Sequence, residues 1–351
     1  MEITTPGRIC LFGEHQDYLG LPVIAMAISL RMKIKGYQRS DRKVIIHKKD
    51  MMETESFYLN ELEYRTSRDY FKSGIKVCLD EGLVFPSGFE CEITSEIPVK
   101  AGTSSSSAMV VSWIHFLSFM AQKKKNWTPE KLGELAYKAE VLEFSEPGGM
   151  MDQYSTAIGN LIYLESDPRL TVKQLHHNLG SFILGDSGEP KDTMKILKRC
   201  KNLRIEIIKN VKSKNRNFNL ASSSKQDLDL STLSREEREL FFCTIDNRDI
   251  LMKAKVELRK KITNHKTIGL LLNKQHAILR DKLGVSTNKI DSMLDAALEA
   301  GALGGKINGS GGGGCMFAYA PENQDSVVQA IESVGGKAYI IYSDEGTQFL
   351  N

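Results

Sequence analysis

The sequence lacks the marks of the chemistries that paired cysteines and long apolar runs support. Its six cysteines stand at Cys10, Cys78, Cys91, Cys200, Cys243 and Cys315, with no C-x-x-C pair and no metal-ligand spacing. A cysteine-ligated zinc motif or a C-x-x-C redox motif is thereby excluded, and the thiols read as reduced groups in a cytosolic protein. No apolar stretch reaches membrane-spanning length, and the opening MEITTPGRICLFGEH has no basic head followed by an apolar segment. The expectation is a cytoplasmic protein without a membrane partner. Excess charge of one sign is missing too: 47 Lys and Arg against 44 Asp and Glu leave +3, so no global field argues for nucleic acid. There is no Walker A sequence and no internal repeat.

What is present is ordinary globular material. The chain has 351 residues, 41% hydrophobic and 26% charged, enough for two domains or one large one. Apolar and β-branched runs predict strands over 2–12, 23–35, 44–47, 55–59 and 89–93, then 159–165 and 181–186. Helices are expected over 108–122 and over 128–144, the latter opened by Thr128-Pro129-Glu130. The middle, 187–265, reads as charged and helical with a polar surface loop at 221–232. Within it, 191–217 reads as an amphipathic helix with a solvated basic face. Two helices are expected between 267 and 300, then a helix over 327–334 and a strand over 338–342. Strands and helices interleave without regular alternation, so the class is α+β, with a domain break near 165–185.

Four stretches hold the polar residues that could do chemistry. IPVKAGTSSSSAM (97–109) lies between a strand and a helix, where the first backbone N–H groups lack partners and the dipole is positive. Small residues there let a phosphate approach, and a serine-rich capped loop without ligand is the alternative. GSGGGG (309–314) matches the glycine spacing of a dinucleotide loop, but it follows a helical segment and runs into an apolar strand, the reverse of the order such a loop needs. A bare linker is equally open. PGRICLFGEHQDYLG (6–20) packs Arg8, Glu14, His15 and Asp17 among three glycines, which suits either a polyhydroxylated ligand or a charged turn with internal ion pairs. EPGGMMDQYSTAIG (146–159) sets Asp152 among apolar neighbours, where a carboxylate needs a partner such as Arg8 or shifts its pKa.

Together these stretches resemble the GHMP kinase superfamily, most closely its galactokinases. PGRICLFGEHQDYLG resembles the galactokinase signature, IPVKAGTSSSSAM the phosphate loop, GGKINGSGGGGC the third motif, and GGMMDQ and QHAILRDKLGVSTNKID (275–291) two further galactokinase stretches. The resemblance implies a two-lobed α+β fold, with a ribosomal-protein-S5-like N-terminal domain (1–170) and a ferredoxin-like α/β-sandwich C-terminal domain (171–351). It implies a site between the lobes and transfer of the ATP γ-phosphoryl group, with Mg2+, to a sugar hydroxyl. Carried over residue by residue, Asp152 matches the catalytic base and Arg8 the arginine that assists it. Glu14, His15, Asp17 and Gly149 match sugar-contacting positions. Gly102, Thr103, Ser104, Ser105, Ser106 and Ser107, with Gly309 and Gly311, match ATP-binding positions, and Ser106 and Glu140 match the metal ligands. The only partner expected is the small-molecule sugar, bound by a monomer or homodimer.

Departures are visible as well. Leu19 stands where the galactokinase signature has asparagine, Thr103 where leucine and Ser107 where alanine are usual, and Gly148 where cysteine is usual. LFGEH is closer to the mevalonate kinase form. Galactose is the expected acceptor, with arabinose, an N-acetylhexosamine or a sugar acid as alternatives and a non-catalytic sugar sensor as the contrasting class. A mevalonate-type acceptor is disfavoured because Glu14 and Asp17 would face its carboxylate.

Overall fold

The computed structural model describes residues 1–99, 101–175, 178–190 and 192–350. Lys100, in the serine-rich loop, and Lys191, at the head of the basic segment, lie outside the described residues. In chain order the first half runs β1 (Glu2–Phe12), β2 (Val23–Gln38), β3 (Lys43–Lys48), β4 (Glu53–Tyr58), α1 (Tyr70–Asp80), β5 (Phe89–Ser95), α2 (Ser105–Met120), α3 (Pro129–Tyr137), α4 (Met151–Ile158), β6 (Leu161–Glu165) and β7 (Thr171–Gln174). The second half runs β8 (Phe182–Asp186), α5 (Thr193–Lys214), α6 (Arg235–Glu257), α7 (His265–Asp281), α8 (Asn288–Glu299), β9 (Gly304–Ile307), β10 (Cys315–Tyr319), α9 (Gln324–Ser333), β11 (Lys337–Ile341) and β12 (Gln348–Leu350).

The strands form two sheets. An eight-stranded sheet has the order β12-β1-β2-β5-β3-β4, with β6 joined to β2 and β7 to β6. A four-stranded antiparallel sheet has the order β11-β8-β10-β9. Helices α1 and α2 bury their apolar sides in a core with Phe89, Trp113 and Phe116, whose rings pack edge-on and stacked. A second core joins the halves: Ile9 and Phe12 of β1 meet Leu251 of α6, Leu272 of α7 and Phe317 of β10. Such burial is worth about 1.5–3 kcal/mol per large apolar side chain, so the halves are held by apolar area before any polar contact is counted.

The α+β class and most expected elements are present. A strand missing from the sequence reading, β9, stands between α8 and the glycine-rich loop, which therefore joins two antiparallel strands. It opens no helix, so the dinucleotide reading fails as expected. The helix expected over 128–144 changes character part-way: α3 passes into a π-turn at Lys138–Leu142. The 221–232 stretch carries a single 3-10 turn, Lys225–Asp227, between α5 and α6.

Candidate active site

Strand β1 reaches the site through two irregularities in its pairing with β2, at Pro6/Gly7 and Cys10/Phe12, and Arg8 sits between them. Gly7 is needed here because a Cβ would lie 2.9 Å from Thr103 O, so β1 and the serine-rich loop are in direct backbone contact. Arg8 N donates to Thr103 O at 3.1 Å. Arg8 Nη1 donates to Gly102 O at 2.6 Å, and Asn308 Nδ2 donates to the same oxygen at 2.9 Å. Three segments far apart in sequence meet on one carbonyl.

The serine loop ends in Ser104 with φ of +60°, a left-handed non-glycine residue that turns the chain into α2. Its Oγ is buried without a hydrogen-bond partner, and the side chain caps nothing. The N-terminus of α2 is thus open, lined by Ser104, Ser105, Ser106 and Ser107 on the wall of a cavity of about 1100 Å³. Open N–H groups, small side chains and a helix N-terminus make an anion cradle. Thr103, by contrast, is fully buried with Oγ1 on Pro98 O at 3.3 Å, and does not line the cavity.

Across this cradle Arg8 grips Asp152 from the first turn of α4: Nε and Nη2 donate to Oδ1 at 2.9 and 2.8 Å. Oδ2 accepts no hydrogen bond from the described residues. Burial opposes the Arg8 charge, but Asp152, with Glu14 and Cys10 adding, keeps the guanidinium pKa above its ordinary value. Glu140 projects from the π-turn, a feature often found at functional sites. Gln153 Nε2 holds it at 2.7 Å and reaches Ser107 Oγ at 3.4 Å, which gives the unexpected Ser107 a place in the network. Burial pushes the Glu140 carboxyl up to about 7, against the opposing hydrogen bonds from Gln153, Ser107 and Ser106.

The loop after β1 turns at Gly13 and continues through a 3-10 turn, Asp17–Leu19. Glu14 is buried, and its Oε2 accepts from Lys306 Nζ at 3.0 Å and Gly309 N at 2.9 Å. His15 bonds Tyr18 Oη through Nδ1 at 2.8 Å and Ser310 O through Nε2 at 3.0 Å. Of these two residues, expected from the resemblance to contact sugar, His15 has both ring nitrogens engaged within the protein and Glu14 has Oε2 engaged, and both line the cavity. Asp17 Oδ1 accepts from Tyr18 N at 2.9 Å, and Oδ2 lies where a Cβ on Gly149 would meet it at 2.0 Å. Burial and the nearby Asp152 push the Asp17 carboxyl up to about 6. Leu19, which stands where the galactokinase signature has asparagine, does not line the cavity.

Gly309 lines the cavity and Gly311 does not: a Cβ on Gly311 would meet Val285 O at 2.4 Å. The 275–291 stretch buttresses this loop, since Val285 O accepts from Gly312 N at 2.6 Å. The sequence reading did not single out Lys306, Asn308, Gln153 or Arg204. The first three sit inside quoted motifs. Arg204 falls on the buried stripe Cys200, Arg204, Ile207, Val211 of α5, a 3.6-residue periodicity that was open to reading.

The structure thus brings Arg8, Asp17, Ser106, Glu140, Gly149, Asp152 and Gly309 to one cleft. Profile comparison matches GHMP kinases N terminal domain over residues 69–160, GHMP kinases C terminal over 254–340, and the Galactokinase galactose-binding signature over 2–34. A mevalonate kinase of Thermococcus sibiricus is 32% identical over 345 residues, 95% of this chain and 93% of the relative. The chain belongs to the GHMP kinase family. A galactokinase of Pyrococcus furiosus is 26% identical, covering 93% of this GHMP kinase and 90% of the relative. The solved structure of Lactococcus lactis galactokinase complexed with galactose superposes with a TM-score of 0.86 over 99% of this kinase and 95% of that chain, at 23% identity. The kinase is a phosphotransferase with the two-domain α+β fold of that family. No helix among the described residues is long and apolar enough to cross a membrane.

Proposed function

We propose that this kinase transfers the γ-phosphoryl group of ATP to the anomeric hydroxyl of a neutral monosaccharide, with galactose as the first acceptor to test. The observation that carries the reading is that Asp17 and Asp152 line the same cavity close enough to feel each other's charge, with Asp17 Oδ2 beside Gly149. Two carboxylates on one cavity receive hydroxyl donors and repel an anionic acceptor. The cavity of about 1100 Å³ exceeds the usual range for one small ligand, which suits a nucleotide and an acceptor held together.

Each residue then has a task. The open N-terminus of α2, with Ser104 and Ser105, receives phosphate oxygens. Ser106 and Glu140 would supply hard oxygen ligands of the kind Mg2+ takes. When bound, Mg2+ neutralises phosphate charge. Arg8 anchors Oδ1 of Asp152 and leaves Oδ2 to accept the acceptor hydroxyl proton. The hydroxyl oxygen forms its bond to the γ-phosphorus as the β–γ bridging bond breaks, and ADP leaves. Positioning and charge neutralisation contribute most of the acceleration.

A mevalonate-type acceptor is the second reading, favoured by the 32% identity to the Thermococcus sibiricus enzyme. It gains further because Lys306 pairs with Glu14, which offsets the charge of one of the two carboxylates expected to oppose it. Coupled ADP release with mevalonate and a panel of monosaccharides, using the parent enzyme, separates the two.

A further inference from the structure

Helix α5, read from sequence as a basic solvated face, is attached to three of the four stretches that line the cleft. Lys201 Nζ donates to Pro147 O at 3.1 Å, beside the Gly148-Gly149 pair. Thr193 Oγ1 lies 3.4 Å from Ser310 Oγ in the glycine-rich loop, and Ile196 fills the space beside Gly312. The third attachment is Arg204, a fully buried guanidinium with no ion-pair partner among the described residues. Nε donates to Cys200 O at 2.8 Å, Nη2 donates to His15 O at 2.6 Å and to Tyr18 Oη, and the guanidinium lies over the Tyr18 ring. A buried charge without a counter-ion is costly unless hydrogen bonds satisfy it, so the position has a use beyond filling space.

The donors and acceptors in this cluster permit one order only. Ser310 O is a carbonyl and can only accept, so His15 carries its proton on Nε2. In a neutral ring Nδ1 then accepts, so Tyr18 Oη donates to it. Tyr18 Oη in turn accepts from Arg204, which has only donors. Burial first, and the Arg204 charge second, hold the His15 pKa down to about 3, so the ring stays neutral at working pH.

We propose that Arg204 is a positioning residue for the acceptor loop, acting through a one-directional hydrogen-bond chain from Arg204 through Tyr18 and His15 to Ser310. Arg204 does not line the cavity; Tyr18, His15 and Ser310 do. The chain ties the loop that carries Asp17 to α5 on one side and to the glycine-rich loop on the other. It sets where Asp17 stands relative to Gly149 and hence how well the acceptor is held. The proposal rests on the reading of this loop as the acceptor site, whichever acceptor the kinase prefers.

Two measurements on the full chain test it. In long-range 15N–1H spectra of histidine-labelled protein, one ring is expected as the neutral Nε2–H tautomer, with its Nδ1 signal moved by Tyr18→Phe. An Nδ1–H tautomer or a protonated ring at pH 7 for the signal that Tyr18→Phe moves, or no ring moved, overturns the chain whatever the acceptor. In steady-state kinetics with the acceptor the parent turns over best, Arg204→Met and Tyr18→Phe are each expected to raise acceptor KM about tenfold or more, since small misplacements in a site are costly. MgATP KM should stay within about twofold, and the double variant should be little worse than either single one, as for two residues of one unit. Arg204→Lys should recover part of the loss. Equal rises in both KM values, or additive effects, identify a merely structural arginine and overturn the proposal. If the acceptor proves not to be a sugar, the functional reading fails while this kinetic comparison still decides the role of Arg204.

Discussion

Arg8 and Asp152 lie 144 positions apart in the chain, yet Nε and Nη2 of the guanidinium converge on one carboxylate oxygen at 2.9 and 2.8 Å. That asymmetry makes the pair directional. One oxygen is anchored and the other is available to a proton. Asp152→Asn keeps the size of the side chain and removes its basicity. It is expected to lower kcat by about 10²–10⁴-fold, the usual contribution of a positioned base. Nucleotide affinity measured by titration calorimetry should stay near parental, whereas near-parental turnover would remove the base role.

Gly149 is the second point of leverage. A Cβ there would sit 2.0 Å from Asp17 Oδ2. Gly149→Ala must therefore push Asp17 aside. The expected result is a rise in acceptor KM of about tenfold or more, with MgATP KM little changed. Parallel kinetics on both substrates check it, and an unchanged acceptor KM would detach Asp17 from acceptor binding.

Glu14 and Lys306 form a fully buried ion pair that joins the two halves at 3.0 Å. Removing one partner leaves an uncompensated buried charge, typically at a cost of about 3–5 kcal/mol. Lys306→Met is expected to lower the midpoint of denaturant unfolding accordingly, and Lys306→Met with Glu14→Leu should recover much of the loss. A stable Lys306→Met variant would show that Glu14 is not held as a strut.

Glu140 and Asp17 make stability depend on pH in a defined direction. Their carboxyls titrate near about 7 and about 6, above the ordinary values of 4.5 and 3.8. Between those limits the folded state binds more protons than the unfolded one, so their contribution is fully present at low pH and is lost as pH rises through 6 and 7. The ligand-free protein should therefore gain a Tm of roughly 2–5 °C from this source between pH 8 and pH 5. Glu140→Gln should flatten the Glu140 part of that slope. Thermal scans of parent and variant at matched ionic strength provide the check, and identical slopes would contradict the assignment.

Much of the site was legible because its residues cluster in sequence. Arg8 and Asp17 share one fifteen-residue stretch, 6–20, Ser106 sits in a serine run, and Asp152 follows a glycine pair. What the sequence concealed was which polar atoms look inward. Glu14 and His15 stand in the same dense loop as Asp17, but Lys306 on β9 holds Oε2 of one and Ser310 on the glycine-rich loop holds the ring of the other, which only folding shows. Arg204 was hidden by its charge, since a basic helix invites a solvated reading although its i, i+4 neighbours are apolar.

The missed elements have physical reasons of the same kind. Helix α1 buries Lys72, Ser73 and Gly74, so polar residues interrupt its apolar period, and Gly74 is there because Trp113 occupies the space of a Cβ. Helix α4 has only eight residues and buries Gln153, Ser155 and Thr156 beside its apolar positions, so it reads as a polar loop after the glycine pair. Strand β9 reads GGKI with a buried lysine, and β12 is three residues whose pairing with β1 crosses the length of the chain. Local pattern reading fails where a segment's environment is set by distant residues.

The central claim, phosphorylation of a neutral sugar at its anomeric hydroxyl, is tested most directly by incubating the kinase with MgATP and each acceptor in turn. ADP release is followed, and 31P and 1H NMR of the product locate the phosphate. The expected result is turnover of galactose or a related neutral monosaccharide, with the phosphate on the anomeric carbon and no turnover of mevalonate. Turnover of mevalonate with no sugar accepted, or a phosphate on any other hydroxyl, would contradict it.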